Sequence, residues 1–311
     1  MFSCLGIDTS NYTTSVALYD NNGLIDQVKK LLYVKSGELG LRQSDAVFQH
    51  IQQLPLVISD LMKSNVELPI AIGVSISPRD IEGSYMPCFT VGTSIASILS
   101  SVLKIPLFKF SHQNGHIAAA LYSANRMDLV KKIFLAFHVS GGTTEAVLVT
   151  PNNEKVIASK LLAYSLDLNA GQVIDRVGRI LGLDFPAGPS LDKLACMYEG
   201  NVRVKPVLKG FNCCLSGLEN ICFDMNKKRE SKNKIAYFCI KYIEATLDFM
   251  CERLLNEYKG LPVLFSGGVM SNTIIKNSFE SKYDAIFATP QLSADNAVGI
   301  AALTHIKARD M

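Results

Sequence analysis

The chain has 311 residues, of which 48% are hydrophobic and 19% charged, and its net charge is +3. These figures exclude a disordered or highly charged scaffold and describe an apolar globule, long enough for one large domain or two packed lobes. The charge allows an anionic ligand but falls short of the strong basicity that marks a chain built to hold nucleic acid by electrostatics alone. Residues 1–7 pass into a polar turn at Asp8, Thr9 and Ser10 without a basic segment or a long apolar run, so no signal peptide and a cytoplasmic location are expected. The uncharged window 83–103 holds Pro87, Gly92 and seven Ser or Thr residues, which reads as a buried turn and helix, not a membrane span. Eight scattered cysteines with no Cys-x-x-Cys pair fit reduced thiols.

Short β-rich runs alternate with amphipathic helices along the chain, which indicates an α/β fold. Strands are expected at 3–7, 14–19 and 25–34, then a helix over 44–63 with Val47, Ile51, Leu54, Ile58 and Leu61 as its buried face. A strand at 70–76, a helix over 93–103 with Ile95, Ile98, Leu99 and Val102 inward, and a strand at 107–110 follow. The second half reopens in the same way, with strands at 133–139, 144–150 and 155–162 and helices starting near Ala170 and Ser190. A further strand ends at Ser266-Gly267-Gly268, a helical run starts near Asn272, and a last apolar helix covers about 294–308.

The two halves share a local plan. Leu5-Gly6-Ile7-Asp8-Thr9-Ser10 running into Thr13-Thr14-Ser15-Val16 parallels Phe137-His138-Val139-Ser140-Gly141-Gly142 running into Thr143-Thr144-Glu145-Ala146. Each is a strand, a small polar turn and a second strand, and such a tip offers N–H groups and hydroxyls to phosphate oxygens. Two tips facing each other across a cleft is the plan of the duplicated actin-like, sugar-kinase-like ATPases. The expected architecture is therefore a duplicated actin-like ATPase (ASKHA) α/β fold, two lobes with a central cleft. The N-terminal lobe would be 1–110 and the C-terminal lobe 111–311, with the last helix packing back on the first lobe. Fold analogy alone fixes no reaction, and a small-molecule kinase of this fold is a competing class.

Two of the five histidines, His112 and His116, lie four apart in Ser111-His112-Gln113-Asn114-Gly115-His116. On a helix capped by Ser111 they share one face, so both imidazoles can reach one metal ion; the other reading is two polar residues on an exposed first turn. Zincin proteases use the same spacing but need Glu as the second residue, where this chain has Gln113, so peptidase chemistry is disfavoured. A third ligand has to come from elsewhere. Asp295 offers a carboxylate at the start of the last helix, where an acid also suits the helix dipole. Two imidazoles and a carboxylate suit Zn or Fe equally.

Seven motifs then occur in a fixed order: His112-x-x-Gly115-His116, Val139-Ser140-Gly141-Gly142-Thr143-Thr144, Ala170-Gly171-x-x-x-Asp175-Arg176, Pro186-Ala187-Gly188-Pro189, Leu215-Ser216-Gly217-Leu218, Gly267-Gly268-Val269-x-x-Asn272 and Asp295-Asn296. In this order and spacing, over residues 6–301, the chain resembles the TsaD family, the tRNA threonylcarbamoyladenosine transferases. The resemblance implies an acyltransferase that moves a threonylcarbamoyl group from threonylcarbamoyl-adenylate to N6 of the adenosine beside the anticodon, in tRNAs reading codons that begin with A. It implies one divalent metal ion (Fe or Zn, or else Mg) on His112, His116 and Asp295, with His138 a candidate fourth ligand. His138, Val139, Ser140, Gly141 and Gly142 would bind the phosphate and carbamoyl end of the donor, and Asp175, Gly188, Asp192 and Asn272 its ribose and adenine. The implied partners are tRNA, a shorter paralogue and a small ATPase, with no membrane.

Attack of an exocyclic amine on a mixed anhydride needs stabilised oxyanion charge and no covalent nucleophile. Asp8 is a candidate catalytic residue, for proton transfer or for orienting the adenine, and N-capping the turn is its other reading. Several positions depart from the family pattern toward fewer acids. Asp8 stands for a Glu, Asn11-Tyr12 for a Cys–acid pair, Asn114 and Gln172 for Glu, Leu168-Asn169 for Asp–Ala, and Ser77-Pro78-Arg79-Asp80 for a Gly-Pro-Gly turn. The alternative function is a divergent paralogue that binds nucleotide and metal but acts on another acceptor or serves as an assembly partner. Lys227-Lys228-Arg229 with Lys232 and Lys234 reads either as a solvated helix end or as a phosphate-binding patch. The outer face of the helix at 44–63 is a candidate partner surface.

Overall fold

The computed structural model describes residues 2–10, 12–34, 41–63, 67–289 and 297–311. A meander of β1 (Cys4–Ser10), β2 (Thr13–Asp20) and β3 (Gly23–Leu31) is followed by α1 (Gln43–Leu61), β4 (Ala71–Ser77), α2 (Phe89–Leu103), β5 (Leu107–Ser111) and α3 (His112–Ser123). A second meander of β6 (Phe134–Val139), β7 (Thr144–Asn152) and β8 (Val156–Tyr164) leads to α4 (Ala170–Ile180) and α5 (Gly188–Cys196). A small hairpin, β9 (Val207–Lys209) and β10 (Asn212–Cys214), precedes α6 (Ser216–Lys227) and α7 (Lys232–Glu257). Then come β11 (Val263–Ser266), a 3₁₀ turn at Gly268–Ser271, α8 (Thr273–Lys282), β12 (Ala285–Phe287) and α9 (Ala297–Arg309).

The strand orders are β3-β2-β1-β4-β5 and β12-β11-β6-β7-β8, which is one arrangement used twice. In each sheet the first strand of the meander pairs antiparallel with the second (β1 with β2, β6 with β7) and parallel with a later strand (β4, β11). All seven residues of β1 are buried, as expected of a strand covered on both faces. Contacts divide the chain into a first unit of Met1–Lys132, Thr150–Lys160 and Gln291–Met311, and a second of Ile133–Val149 and Leu161–Pro290. The expected boundary at 110/111 falls inside the first unit, because α3 packs against α9, and α9 lies on β1, β2 and β4.

That packing depends on bare backbone. A Cβ on Gly6 would sit 2.4 Å from the Ala297 carbonyl oxygen, one on Gly73 1.8 Å from Thr304 Oγ1, and one on Gly299 1.9 Å from the Gly115 carbonyl oxygen. Glycine at these three places lets a helix axis approach strand and helix backbones more closely than any side chain would permit.

Two buried faces differ from those the periodicity suggests. α1 turns Ala46, His50, Gln53, Leu54, Val57 and Leu61 inward, leaving Ile51 56% exposed. A polar network sets this rotation: His50 Nε2 donates to the Ser10 carbonyl (2.9 Å), and Thr14 Oγ1 lies 2.8 Å from His50 Nδ1 and 2.9 Å from Gln53 Oε1. α2 starts at Phe89 and buries Phe89, Val91, Gly92 and Ala96, while Ile98 and Val102 are 58% and 72% exposed. Its small face seats on β1, where Gly92 N–H donates to Thr9 Oγ1 (3.2 Å).

In the second unit the charge run Lys227 to Lys234 spans the end of α6, the turn after it and the start of α7. α7 buries a broad face that includes Ile235, Cys239, Ile243, Leu247, Met250 and Leu254, and the core continues through Phe137, Phe265 and Phe279. Among the described residues no helix is long and apolar enough to cross a membrane. Overpacking at the α3–α9 contact is expected to cost about 1–3 kcal/mol, so Gly299→Ala should lower the urea midpoint of unfolding without changing the denaturant slope.

Candidate active site

In the first unit, β5 delivers the chain to α3, whose N-cap Ser111 accepts a hydrogen bond from the Asn114 N–H (3.1 Å). His112 and His116 therefore lie on one face of the first turns, with ring centroids 4.7 Å apart. Asp8, at the end of β1, is fully buried and accepts from His112 Nδ1 (3.0 Å) and from the Ser75 hydroxyl on β4. In the neutral imidazole this puts the proton on Nδ1 and the lone pair on Nε2, the form a metal ligand needs. Burial alone would raise the Asp8 pKa, but the His112 charge and hydrogen bonds from His112, Ser75 and Ser10 outweigh it and hold it below the usual carboxylate value. Asp8, fully buried, orients His112 through its Oδ1. Ser75 carried no signal in the sequence, because only the parallel pairing of β1 with β4 sets it beside Asp8.

Two imidazoles with one oriented ring suit a borderline divalent ion. Asp295 lies outside the described residues, and among those described no group of three or more His, Cys, Asp or Glu side chains is arranged to hold an ion. His138 belongs to the second unit, at the end of β6. Its Nδ1 lies 3.1 Å from Ser266 Oγ, whose own proton goes to the Phe137 carbonyl (3.2 Å), so Nδ1 carries the hydrogen in that pair.

The second unit contains a cavity of about 400 Å³ lined by Gly141, Gly171, Ile174, Asp175, Pro186, Gly188, Pro189, Asp192, Gly268, Val269, Ser271 and Asn272. It brings together Gly141, Asp175, Gly188, Asp192 and Asn272, which lie in four separate sequence motifs or, for Asp192, just beyond one. Ile174, Ser271 and Val269 complete it; only the fold could show that these apolar and small residues form its walls. Gly171 is required where α4 meets the β6–β7 tip, since a Cβ there would lie 2.6 Å from the Gly141 nitrogen. Gly267 has φ +96° and sits against the Val139 carbonyl, where again no side chain fits.

Asp175, Asp192 and Asn272 in the cavity already have partners. Asp175 accepts from the Ala187 N–H (2.9 Å). Asp192 accepts from Asn272 Nδ2 (2.7 Å) and from the Thr273 hydroxyl (2.9 Å), while Asn272 Oδ1 caps α8 through Ile274 and Ile275 N–H. This network fixes α5 against the start of α8 on one side of the cavity. The tip itself is also internally bonded: Gly142 and Thr143 N–H donate to Ser140 Oγ, and Ser140 N–H donates to the Thr143 carbonyl. Only the Gly141 N–H of the four is without such a bond, so the tip presents fewer ready donors than the sequence suggested.

Three departures from the family pattern have packing roles. Asn114 is completely buried, donates to the Ile157 carbonyl (3.0 Å) and accepts from Ser159 (3.0 Å), work that a Glu could not do at the carbonyl. Gln172 accepts from the Asn169 N–H (3.0 Å) in a capping box at the start of α4. Asp80 pairs with Lys155 at 2.5 Å, next to the Pro78 carbonyl that receives the Gln113 N–H.

Because the Asp8 pKa is lowered by folding, its contribution to stability is complete above the unfolded value of about 4 and is lost as pH falls toward the folded value. Asp8→Asn should therefore flatten the pH dependence of the urea midpoint below about pH 4. Asp8→Ala should cost about 1–3 kcal/mol at neutral pH, the range for leaving buried hydrogen-bond partners unsatisfied.

A family model described as TsaD, tRNA N6-adenosine threonylcarbamoyltransferase, matches residues 35–302. The chain is 29% identical to the tRNA N6-adenosine threonylcarbamoyltransferase of Phocaeicola vulgatus, covering 98% of this chain and 94% of that protein. It is 27% identical to the Riemerella anatipestifer protein of the same name, covering 97% and 92%. Among solved structures, full-length HypF in its phosphate- and nucleotide-bound form matches with a TM-score of 0.61 at 12% identity, over 98% of this chain and 55% of HypF, so the chain spans about half of that protein. Component A of (R)-2-hydroxyglutaryl-CoA dehydratase from Acidaminococcus fermentans matches with a TM-score of 0.56 at 14% identity, over 99% and 100%. A ROK-family glucokinase from Streptomyces griseus with glucose and AMPPNP matches with 0.53 at 9%, over 98% and 99%. At these identities the structural likeness speaks to fold, the duplicated actin-like ATPase fold that the repeated strand order already described. The family model reaches from the segment before α1 into α9, and on that match the chain belongs to the TsaD family of tRNA N6-adenosine threonylcarbamoyltransferases.

Proposed function

We propose that the chain is an acyltransferase that moves a threonylcarbamoyl group from threonylcarbamoyl-adenylate to N6 of the adenosine beside the anticodon of tRNA, in the cytoplasm. The observation that carries this reading is the family match over residues 35–302. The cavity of the second unit supports it, since about 400 Å³ accommodates a nucleoside among Asp175, Gly188, Asp192 and Asn272. In this reading Asp175 and Asp192 accept from ribose hydroxyls, and the open space above Gly188 admits the sugar without a side chain in the way. His138, Val139, Ser140, Gly141 and Gly142 face the phosphate and carbamoyl end, with the Gly141 N–H as a hydrogen-bond donor.

The reaction forms a bond from the adenosine N6 to the carbamoyl carbon, breaks the bond from that carbon to the phosphate oxygen, and releases AMP with the bonding electron pair while N6 gives up a proton. Charge grows on the carbamoyl oxygen as the amine attacks, and one well-placed donor is worth about 3 kcal/mol to such a transition state. His112, His116 and Asp295 would hold a divalent ion (Fe or Zn, or else Mg), which when bound would supply Lewis-acid chemistry. Asp8 and Ser75 keep His112 in the ligating tautomer.

The packing roles of Asn114 and Gln172 weigh against the divergent-paralogue alternative, because they account for two missing acids without a change of chemistry. The implied partners, a shorter paralogue and a small ATPase, would need apolar surface, and Phe48, Ile51, Ile98 and Val102 on α1 and α2 supply exposed apolar side chains.

Incubation with threonylcarbamoyl-adenylate and unmodified tRNA, with and without the partner proteins, followed by nucleoside mass spectrometry, tests the reading. The expected result is a threonylcarbamoyladenosine peak that falls about 100-fold or more in His112→Ala. AMP release without the modified nucleoside would instead indicate another acceptor. Asn272→Ala should weaken adenylate binding about 10-fold, measured by calorimetry, through loss of the bond that positions Asp192.

A further inference from the structure

We infer that the turn between α6 and α7, with Lys228, Arg229 and Lys232, is a docking surface for the phosphate backbone of tRNA; this rests on the tRNA reading above. The turn is a Schellman motif: Glu230 N–H donates to the Met225 carbonyl (3.2 Å) and Arg229 N–H to the Asn226 carbonyl (3.0 Å). Arg229 occupies the left-handed position of that motif, with φ +57°. Glycine is the residue that suits this backbone, and arginine there is held in a disfavoured conformation.

The charges around the turn support the same conclusion. Between residues 216 and 234, Glu219 is committed to Arg176 (2.9 Å) and Glu230 to Lys234 (2.8 Å), which leaves Asp224 as the one acid there without an ion pair. Lys228, Arg229 and Lys232 are exposed and make no ion pair among the described residues. Lys227 lies over the Phe223 ring at 4.4 Å, an exposed aromatic flanked by cation. The Lys232 ammonium reaches the Gly182 corner at the end of α4, about 4 Å from a Cβ built there, and the last turn of α4 carries exposed Arg179. Arg179 and Asp175 are four apart on α4, hence on one face, and Asp175 lines the nucleoside cavity. Exposed cations thus lie both one helical turn beyond Asp175, at Arg179, and at the α6–α7 turn. Cations so placed suit a polyanion held by its backbone, which supplies position without sequence readout.

The test is the affinity of the full-length native chain and its variants for an unmodified tRNA transcript, by fluorescence anisotropy at several salt concentrations, together with threonylcarbamoyladenosine formation. Arg229→Gly is the informative single variant, since glycine fits the turn: its melting temperature should hold or rise while tRNA affinity falls several-fold. In the triple variant Lys228→Ala, Arg229→Gly, Lys232→Ala, affinity should fall 10-fold or more, and the slope of log affinity against log salt should drop by about 1 per contact removed. Adenylate binding should be unchanged. A triple variant that binds and modifies tRNA like the native chain, with the same salt slope, overturns the surface and leaves the transferase reading intact. A native chain that, with the partner proteins present, neither binds tRNA nor forms the modified nucleoside overturns both.

Discussion

The first unit depends on the close approach of α9 to β1, β4 and α3, which three glycines permit. Gly6, Gly73 and Gly299 each stand where a Cβ would fall inside another atom's contact distance. A helix from the C-terminal end of the chain therefore completes the core begun by its first strand. Ala297, Val298 and Ala301 bury against Ala17, with Tyr19, Leu24 and Tyr122 around them. The core of the unit is incomplete without α9, and the His112 helix is held by the same contact. Long-range closure of this kind is entropically costly and is offset here by a dense, small-residue interface.

The chemistry of the site is arranged by the same economy of position. A buried carboxylate is costly unless it is hydrogen-bonded, and Asp8 receives bonds from His112 and Ser75, on separate elements, at one oxygen, Oδ1. The oriented imidazole is thus a consequence of how β1, β4 and α3 meet. In the second unit the Asp192–Asn272–Thr273 network plays a comparable part, since it caps α8 and shapes one side of the cavity with the same side chains. Residues proposed to touch the ligand are therefore also structural, and their substitution will affect stability as well as binding.

The acid-to-amide departures illustrate how a substitution that looks functional in sequence can be a packing choice. Asn114 needs both a donor and an acceptor, for Ile157 and Ser159, and only an amide of that length provides them. Arg229 is the opposite case, a residue with φ +57° where the local backbone would favour glycine.

The sequence by itself determined the α/β class, the duplicated strand-turn-strand plan, the helix that places His112 and His116 on one face, and the order of motifs that marks the family. These are legible because they are set by local periodicity, by capping and by spacing along the chain. The rotation of α1 and α2 about their axes was decided by tertiary structure, since His50, Gln53 and Gly92 face inward to meet partners on β1 and β2 that apolar periodicity does not register. The extent of the first unit, the pairing of Ser75 with Asp8, and the apolar walls of the cavity were likewise decided only in three dimensions. Each joins residues far apart in the chain, and sheet register and helix approach, not local propensity, bring them together.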